Sequence, residues 1–276
     1  MNVENAVDYE EQNRRYWNEV TPAHRDSEFY GVDRFLAGQT VLYAREIEDL
    51  GNLHGKRLIH LQCHFGLDTL SWAREGAEVT GADLSDVSIQ TACEIAKAAK
   101  IPARFFCCNV YDLPGPLKGE TFDVVYTSRG VLCWLRDLGR WAEIIAELLA
   151  PGGRFYLVDT HPMFYMWQEG GPLPPFRVEG GYYHNPEPLI EEPSGTADYA
   201  GGNYIPQERT YEWRWTIADI LNALIRAGLV IDELREEDGL FHDAWDGMVK
   251  GDDGLWRVTG YENRVPMTIT VQAHKP

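Results

Sequence analysis

The stretch from Arg57 to Asp83, RLIHLQCHFGLDTLSWAREGAEVTGAD, restricts the possible folds more than any other part of the chain. Leu58–Leu61 reads as a buried strand, and residues 62–66 as a tight turn ending at Gly66. About Asp68 to Glu75 reads as a helix, and Glu78 to Ala82 as a second strand with Asp83 at its tip. Such a βαβ unit aims the free N–H groups of a helix N-terminus and one carboxylate at the same spot. A nucleoside needs both, the carboxylate serving as acceptor for its ribose hydroxyls. Of the usual glycines only Gly66 is present, with Gln62 and His64 where small residues are expected. A plain turn in an α/β core would share much of this pattern.

The segments that follow repeat the alternation. Leu84-Ser85-Asp86 opens a helix with apolar face Ala92, Ile95, Ala96 and Ala99. ARFFCC reads as a strand ending at Asn109, followed by Val110-Tyr111-Asp112. Phe122–Tyr126 reads as a fourth strand ending at Thr127-Ser128-Arg129-Gly130. A helix with Leu138, Trp141, Ile145, Leu148 and Leu149 on one face stops at Pro151-Gly152-Gly153 and feeds a fifth strand, Arg154 to Val158. Five strands alternating with helices through short loops predict a doubly wound, mostly parallel sheet. Further on, Thr216 and Asp219 form a capping pair for a helix ending at Gly228. LVIDELRE and VPMTITVQA read as two more strands.

In this order the motifs resemble class I S-adenosylmethionine-dependent methyltransferases, over about residues 56 to 160 and again from 213 to the end. HLQCHFGLDT stands for the glycine-rich first motif, VTGADLS for the second, CCNVYDL for the third and FDVVYTSRGVLCWL for the fourth. LLAPGGRFYLVD matches the helix–turn–strand that follows. His60 stands where that family carries an acidic residue inside the first strand. The resemblance implies a seven-stranded Rossmann-like sheet whose last strand is antiparallel and lies between the fifth and sixth. It also implies S-adenosyl-L-methionine as cofactor. Asp83 would accept the ribose hydroxyls, Leu84 would pack on the adenine, and Asn109 with the Val110 N–H would meet the adenine edge. Backbone carbonyls of Gln62 and Ser128 would meet the α-amino group. Cys63, His64 and Gly66 would line the methionine moiety.

Two regions lie outside residues 53–159 plus 213–276, the expected cofactor-binding core. Residues 1–52 carry two helical stretches, Val7 to Val20 and Arg34 to Leu50, joined by TPAHRDSEFYG. They fit either a lid over the cofactor or an amphipathic layer on the sheet edge. Residues 160–212 are rich in Gly, Pro and aromatics and far exceed the usual connection of about 2–8 residues. They are expected to form a substrate cap, with Phe164, Tyr165 and Trp167 lining an acceptor site. Arg129 and Trp134, just after the fourth strand, are further acceptor-side candidates. His161 fits a base for a hydroxyl or amine, or a turn residue before Pro162. His60 fits a satisfied core histidine.

Composition narrows the function classes. A formal net charge of −18 argues against nucleic-acid and anionic-membrane partners, since phosphate binding rests on Lys and Arg. No run of about 20 apolar residues could span a bilayer, and no leader pattern follows Met1, so a cytoplasmic protein is expected. The five cysteines lack paired spacing and are expected to be buried thiols. Asp159 and His161 lack a third partner for a metal, so none is expected. The Asn/Asp-Pro-Pro-aromatic sequence of base and glutamine methylation is absent, as is the Pro-Cys nucleophile of cytosine methylation. What remains is methyl transfer to a small-molecule O- or N-nucleophile, with carbon also open. The alternatives are a protein that binds the cofactor without transfer, or an NAD-dependent oxidoreductase. The oligomeric state is not readable from the sequence.

Overall fold

The computed structural model describes residues 8–167, 176–200 and 203–276. Val7 of the first helical stretch lies outside them, as do residues 168–175 and 201–202 of the expected cap. Three helices come first: α1 (Tyr9–Asp26), α2 (Val32–Leu36) and α3 (Ala44–Leu50). The α1 helix runs six residues beyond Val20, straight through Pro22. Proline breaks a helix by removing one N–H bond, but here Thr21 Oγ1 bonds the Trp17 carbonyl at 2.6 Å and His24 is pinned on both ring nitrogens. Tertiary contacts override the local breaker. The expected helix over Arg34–Leu50 is instead two short ones, parted around Gly38, whose φ is 106°.

The core follows as β1 (Arg57–Leu61), α4 (Leu67–Arg74), β2 (Glu78–Asp83), α5 (Asp86–Ala99) and β3 (Arg104–Cys107). Then come α6 (Pro114–Leu117), β4 (Phe122–Ser128), α7 (Leu138–Leu148) and β5 (Leu149–Thr160). Beyond β5 lie β6 (Leu189–Glu191), β7 (Thr210–Glu212), α8 (Ile217–Arg226), β8 (Val230–Glu237), β9 (Met248–Lys250), β10 (Trp256–Val258) and β11 (Thr268–His274). Seven strands form one sheet in the order β3-β2-β1-β4-β5-β11-β8. The first five pair in parallel, and β11 is antiparallel to both β5 and β8. Pro151-Gly152-Gly153 does not separate α7 from β5. It loops out within the strand, shifting the register so that Phe122 faces Leu149 while Val124 faces Arg154.

Alternation along the strands fills both faces. Ile59, Leu61, Val125, Phe155, Leu157, Ile269 and Val271 pack under α7 and α8. Leu58, Val124, Tyr126, Tyr156 and Val158 pack with Trp72 of α4 and Leu50 of α3 on the other face. Chain order reverses between β1 and β4, and the crevice at that point is where open α/β sheets take their ligands.

The segment after β5 divides between two neighbours. Phe164 and Trp167 are buried with Leu240, Trp245, Met248 and Val258, beside the β9–β10 hairpin. Further along, β6 and β7 form a two-stranded antiparallel sheet, against which α1 packs.

Candidate active site

The turn after β1 has a backbone that its sequence does not favour. Gln62, His64 and Gly66 all have left-handed φ, at 56°, 49° and 75°. For the two non-glycines this costs about 1–2 kcal/mol each, and their side chains make use of the position. Gln62 Nε2 donates to the Val131 carbonyl at 3.1 Å, tying the turn to the loop after β4. The His64 ring reaches toward α1 and α5. The three expected glycine positions therefore keep the glycine conformation with one glycine. At Gly66 a Cβ would lie 2.8 Å from the Phe105 ring and 3.3 Å from Ala92 Cβ. The need for glycine there comes from packing on β3 and α5.

Asp83 ends β2, buried, and holds this turn in place. One carboxylate oxygen accepts the His64 N–H at 2.8 Å and the other the Ser85 N–H at 2.9 Å. Burial raises its pKa to about 6, while the N–H bonds from Ser85 and His64 act the other way. A carboxylate has about four lone-pair sites, so acceptor capacity remains beside the N–H groups of Ser85, His64 and Leu84. Asn109 lies two residues beyond the end of β3, where it caps a short 3-10 turn, and its Oδ1 accepts the Tyr111 N–H at 3.0 Å. That leaves its amide N–H groups for an adenine edge. Val110 has its side chain in the core. Leu84 is half-buried, and its carbonyl lies 3.7 Å from Cys107 Sγ.

The loop after β4 is organised from β5. The buried Asp159 carboxylate accepts N–H groups of Gly130, Val131 (3.2 Å), Leu132 (3.0 Å) and Thr160 (2.7 Å). This fixes the short 3-10 turn that carries Trp134. Ser128 Oγ donates to Asp68 at 2.8 Å and lies 3.3 Å from His60 Nε2. Arg129, left-handed at φ 56°, pairs with both Asp68 and Glu46 under the rings of Tyr43 and Phe241. His60 Nδ1 meets Thr69 Oγ1 at 2.9 Å, the satisfied core histidine that the sequence allowed.

The α1 helix roofs the crevice. Asn18 accepts from Ser85 Oγ at 2.7 Å and its amide donates to Asp86 at 2.8 Å, beside Asp83. His24 Nε2 meets Asp198 at 2.7 Å, His24 Nδ1 meets His64 Nε2 at 3.1 Å, and His64 Nδ1 meets Ser88 Oγ at 3.0 Å. His24 Nε2–H donates to the Asp198 carboxylate, the directions of the His24–His64 and His64–Ser88 bonds follow the ring tautomers, and Ser88 Oγ also meets Thr21 Oγ1 at 2.7 Å. Burial pushes the His64 pKa well down, so its ring stays neutral. The Trp17 ring centre lies 5.0 Å from that of His64 and 5.1 Å from that of Trp134, and Tyr16 stacks on Trp134 at 5.9 Å.

Other sequence candidates have prior engagements. His161 Nδ1 accepts the Met163 N–H at 3.0 Å, so Nε2 carries the proton and donates to Glu236 at 2.8 Å. One ring nitrogen serves the turn and the other meets Glu236 of β8, and burial lowers the pKa despite that carboxylate. Phe164 and Trp167 are core residues of the β9–β10 unit, while Tyr165 lies under the Arg214 guanidinium at 4.1 Å. Cys63 and Cys133 are buried thiols as expected, but Cys93 and Cys107 are exposed. Sequence reasoning missed His24, Asp198, Asp68 and Glu46. His24 and Asp198 are 174 residues apart, and no local pattern links them.

The reversal of chain order between β1 and β4, with a carboxylate at the tip of β2, is the arrangement in which open α/β sheets take nucleoside ligands. Residues 59–157 match the model of a methyltransferase domain. The ubiquinone biosynthesis O-methyltransferase of Rhizobium etli is 31% identical over 119 residues, covering 43% of this chain and 47% of that one. The chain thus spans about half the length of that relative. The enzyme of the same name from Coxiella burnetii is 27% identical over 198 residues, 71% of this chain and 76% of that one. The crystal structure of an S-adenosylmethionine-dependent methyltransferase from Mesorhizobium loti shares the fold. Its TM-score is 0.58 at 23% identity, covering 87% of this chain and all of that one. Residues 59–157 thus match a methyltransferase domain, on a fold shared with the Mesorhizobium loti structure.

Proposed function

We propose that the protein transfers a methyl group from S-adenosylmethionine to an O- or N-nucleophile of a small molecule. The observation that carries this reading is the turn at residues 62–66. It keeps three left-handed positions against Asp83 although only one is glycine. A strained backbone retained at the ligand crevice points to function there. The names of the two relatives, both O-methyltransferases, favour oxygen as the acceptor atom.

The residues present fit the cofactor. Asp83 would hold the ribose hydroxyls, Leu84 and the Asn109 amide the adenine, and the 62–66 turn with Ser128 the methionine end. The cofactor supplies an electrophilic methyl group on a sulfonium. Transfer then rests on placing the acceptor atom in line with that methyl, and positioning of this kind lowers a barrier by about 7–11 kcal/mol. Trp17, Tyr16 and Trp134 enclose the crevice, exclude water and offer ring faces to positive charge. A hydroxyl acceptor must also lose a proton. His24 would take it, with Asp198 holding Nε2 and stabilising the imidazolium while Nδ1 is the atom that gains the proton. The His64 ring would have to turn aside first. Asp198 and β7, more than Phe164 and Trp167, form the acceptor side, because Asp198 and Tyr211 meet α1.

The test has two stages. S-adenosylhomocysteine should raise the melting temperature and NAD should not. Labelled S-adenosylmethionine should then pass its methyl to a component of a small-metabolite extract. Stabilisation without transfer would support a cofactor-binding protein, and stabilisation by NAD alone would support the oxidoreductase.

A further inference from the structure

Two buried side-chain atoms at the β1/β4 crevice, Gln62 Oε1 and Arg129 Nε, have no hydrogen-bond partner among the described residues. Unmade bonds of this kind are costly, and few survive in native structures. The two residues are alike in placement: each is the first after its strand, and each has a left-handed φ of 56°. They are opposite in chemistry. Gln62 Nε2 donates to the Val131 carbonyl, which fixes the amide and makes Oε1 an acceptor. Arg129 commits Nη1 to Asp68 and Nη2 to Glu46, which leaves Nε–H as a donor.

Resting on the cofactor reading above, we propose that these two atoms recognise the α-amino-acid headgroup of S-adenosylmethionine. Gln62 Oε1 accepts from the α-ammonium, and Arg129 Nε–H donates to the α-carboxylate. A zwitterion presents one donor and one acceptor from a single carbon, which is the complement of what the two strand ends offer. Asp68 and Glu46 already occupy the two Nη atoms of Arg129, so a ligand carboxylate meets only the Nε–H. A ligand bearing the carboxylate alone therefore gains least. Arg129, placed on the acceptor side by its sequence position, thus becomes a cofactor-selecting residue.

The experiment is calorimetric titration of the full chain with four probes. These are S-adenosylhomocysteine, 5′-methylthioadenosine without a headgroup, S-adenosyl-3-thiopropylamine without the carboxylate, and 5′-S-(3-carboxypropyl)-5′-thioadenosine without the ammonium. The native chain should bind S-adenosylhomocysteine about tenfold or more tighter than each of the others, the carboxypropyl compound being weakest. Arg129→Lys keeps a cation between the two acids but removes Nε. It should weaken S-adenosylhomocysteine about tenfold and leave the propylamine within about threefold. Gln62→Met should weaken S-adenosylhomocysteine and spare the carboxypropyl compound. The inference is overturned if the native chain binds S-adenosylhomocysteine no better than methylthioadenosine. It is equally overturned if Arg129→Lys weakens S-adenosylhomocysteine and the propylamine by one factor. Should a variant fail to fold, the native chain's ranking of the four probes decides alone. A folded native chain that binds neither S-adenosylhomocysteine nor methylthioadenosine overturns the cofactor reading itself.

Discussion

Asn13 and Tyr211 exchange two hydrogen bonds: the Asn13 amide donates to the Tyr211 carbonyl at 2.8 Å, and its oxygen accepts the Tyr211 N–H at 2.9 Å. A helix side chain thereby completes β7 as a neighbouring strand would, and it fastens α1 to the segment beyond β5. The pair is buried. Asn13→Ala leaves a buried N–H and C=O unpaired and should destabilise the protein by about 2 kcal/mol or more. Limited proteolysis should then release α1 before the sheet. Equal protease resistance in the variant would mean that the roof is held by its other contacts.

Gly66→Ala should lower the melting temperature whether or not ligand is present. The added methyl meets Phe105, and the backbone stays at φ 75°, so a cost of about 2 kcal/mol is expected. Combining it with Phe105→Leu should recover part of the loss, a coupling that a double-mutant cycle measures. Additive losses would mean that the ring is not the obstacle.

Asp83→Ala should weaken S-adenosylhomocysteine by about 1.5–3 kcal/mol and, by freeing the His64 N–H, also lower stability. Calorimetry and thermal melting read the two effects separately. Undiminished affinity in a folded variant removes Asp83 from the site.

His24→Gln and Asp198→Asn should each reduce methyl turnover about 100-fold, the scale of general-base assistance. S-adenosylhomocysteine affinity should stay within about threefold, and Asp198→Glu should recover part of the rate. Unchanged turnover would return the proton to solvent or to another group.

Acid should destabilise the protein well before its surface carboxylates protonate. Burial holds His60 and His242 down to about 4 in the folded chain, against about 6.5 when unfolded. The unfolded chain therefore takes up two more protons as pH falls through that window. Stability is full above about pH 6.5 and is lost toward 4. Asp83, raised to about 6, opposes this together with Glu46 and Asp159, which burial also raises, since the folded state gains those protons first, while His64 and His161, held down by burial, add to it. The melting temperature should fall between about pH 7.5 and 5, less steeply in His242→Asn. A flat profile would mean that the rings are not held neutral.

The alternation of strands and helices from Arg57 to Val158 was legible because burial imposes a period on each element, and the Thr216–Asp219 capping pair because its chemistry is local. The resemblance supplied the place of β11. The first helix was expected to end at Val20 but runs to Asp26, because α1 is held by residues far along the chain. Phe164 and Trp167 looked like cap aromatics, since a stretch rich in Gly and Pro does not reveal which neighbour will bury it; their partners lie 73 to 94 residues on, between Leu240 and Val258. The Asp159 carboxylate, read as a weak metal ligand, instead holds a loop whose N–H groups come from residues 130–132.

The place of β11 also sets the order in which the protein can be finished. Strand β8 touches the sheet only through β11, which pairs with β5 on its other side. A ribosome will have made β8 before its neighbouring strand exists, with only α8, packed on α7, to hold it near the sheet edge at β5. Until Thr268–His274 emerge, Ile231 and Leu234 have no partner strand, and β5 is an exposed edge with aggregation risk. Losing this last strand removes the inside of the sheet rather than its margin. A chain stopped before Thr268 should therefore keep a β3-to-β5 half-sheet and leave β8 unattached.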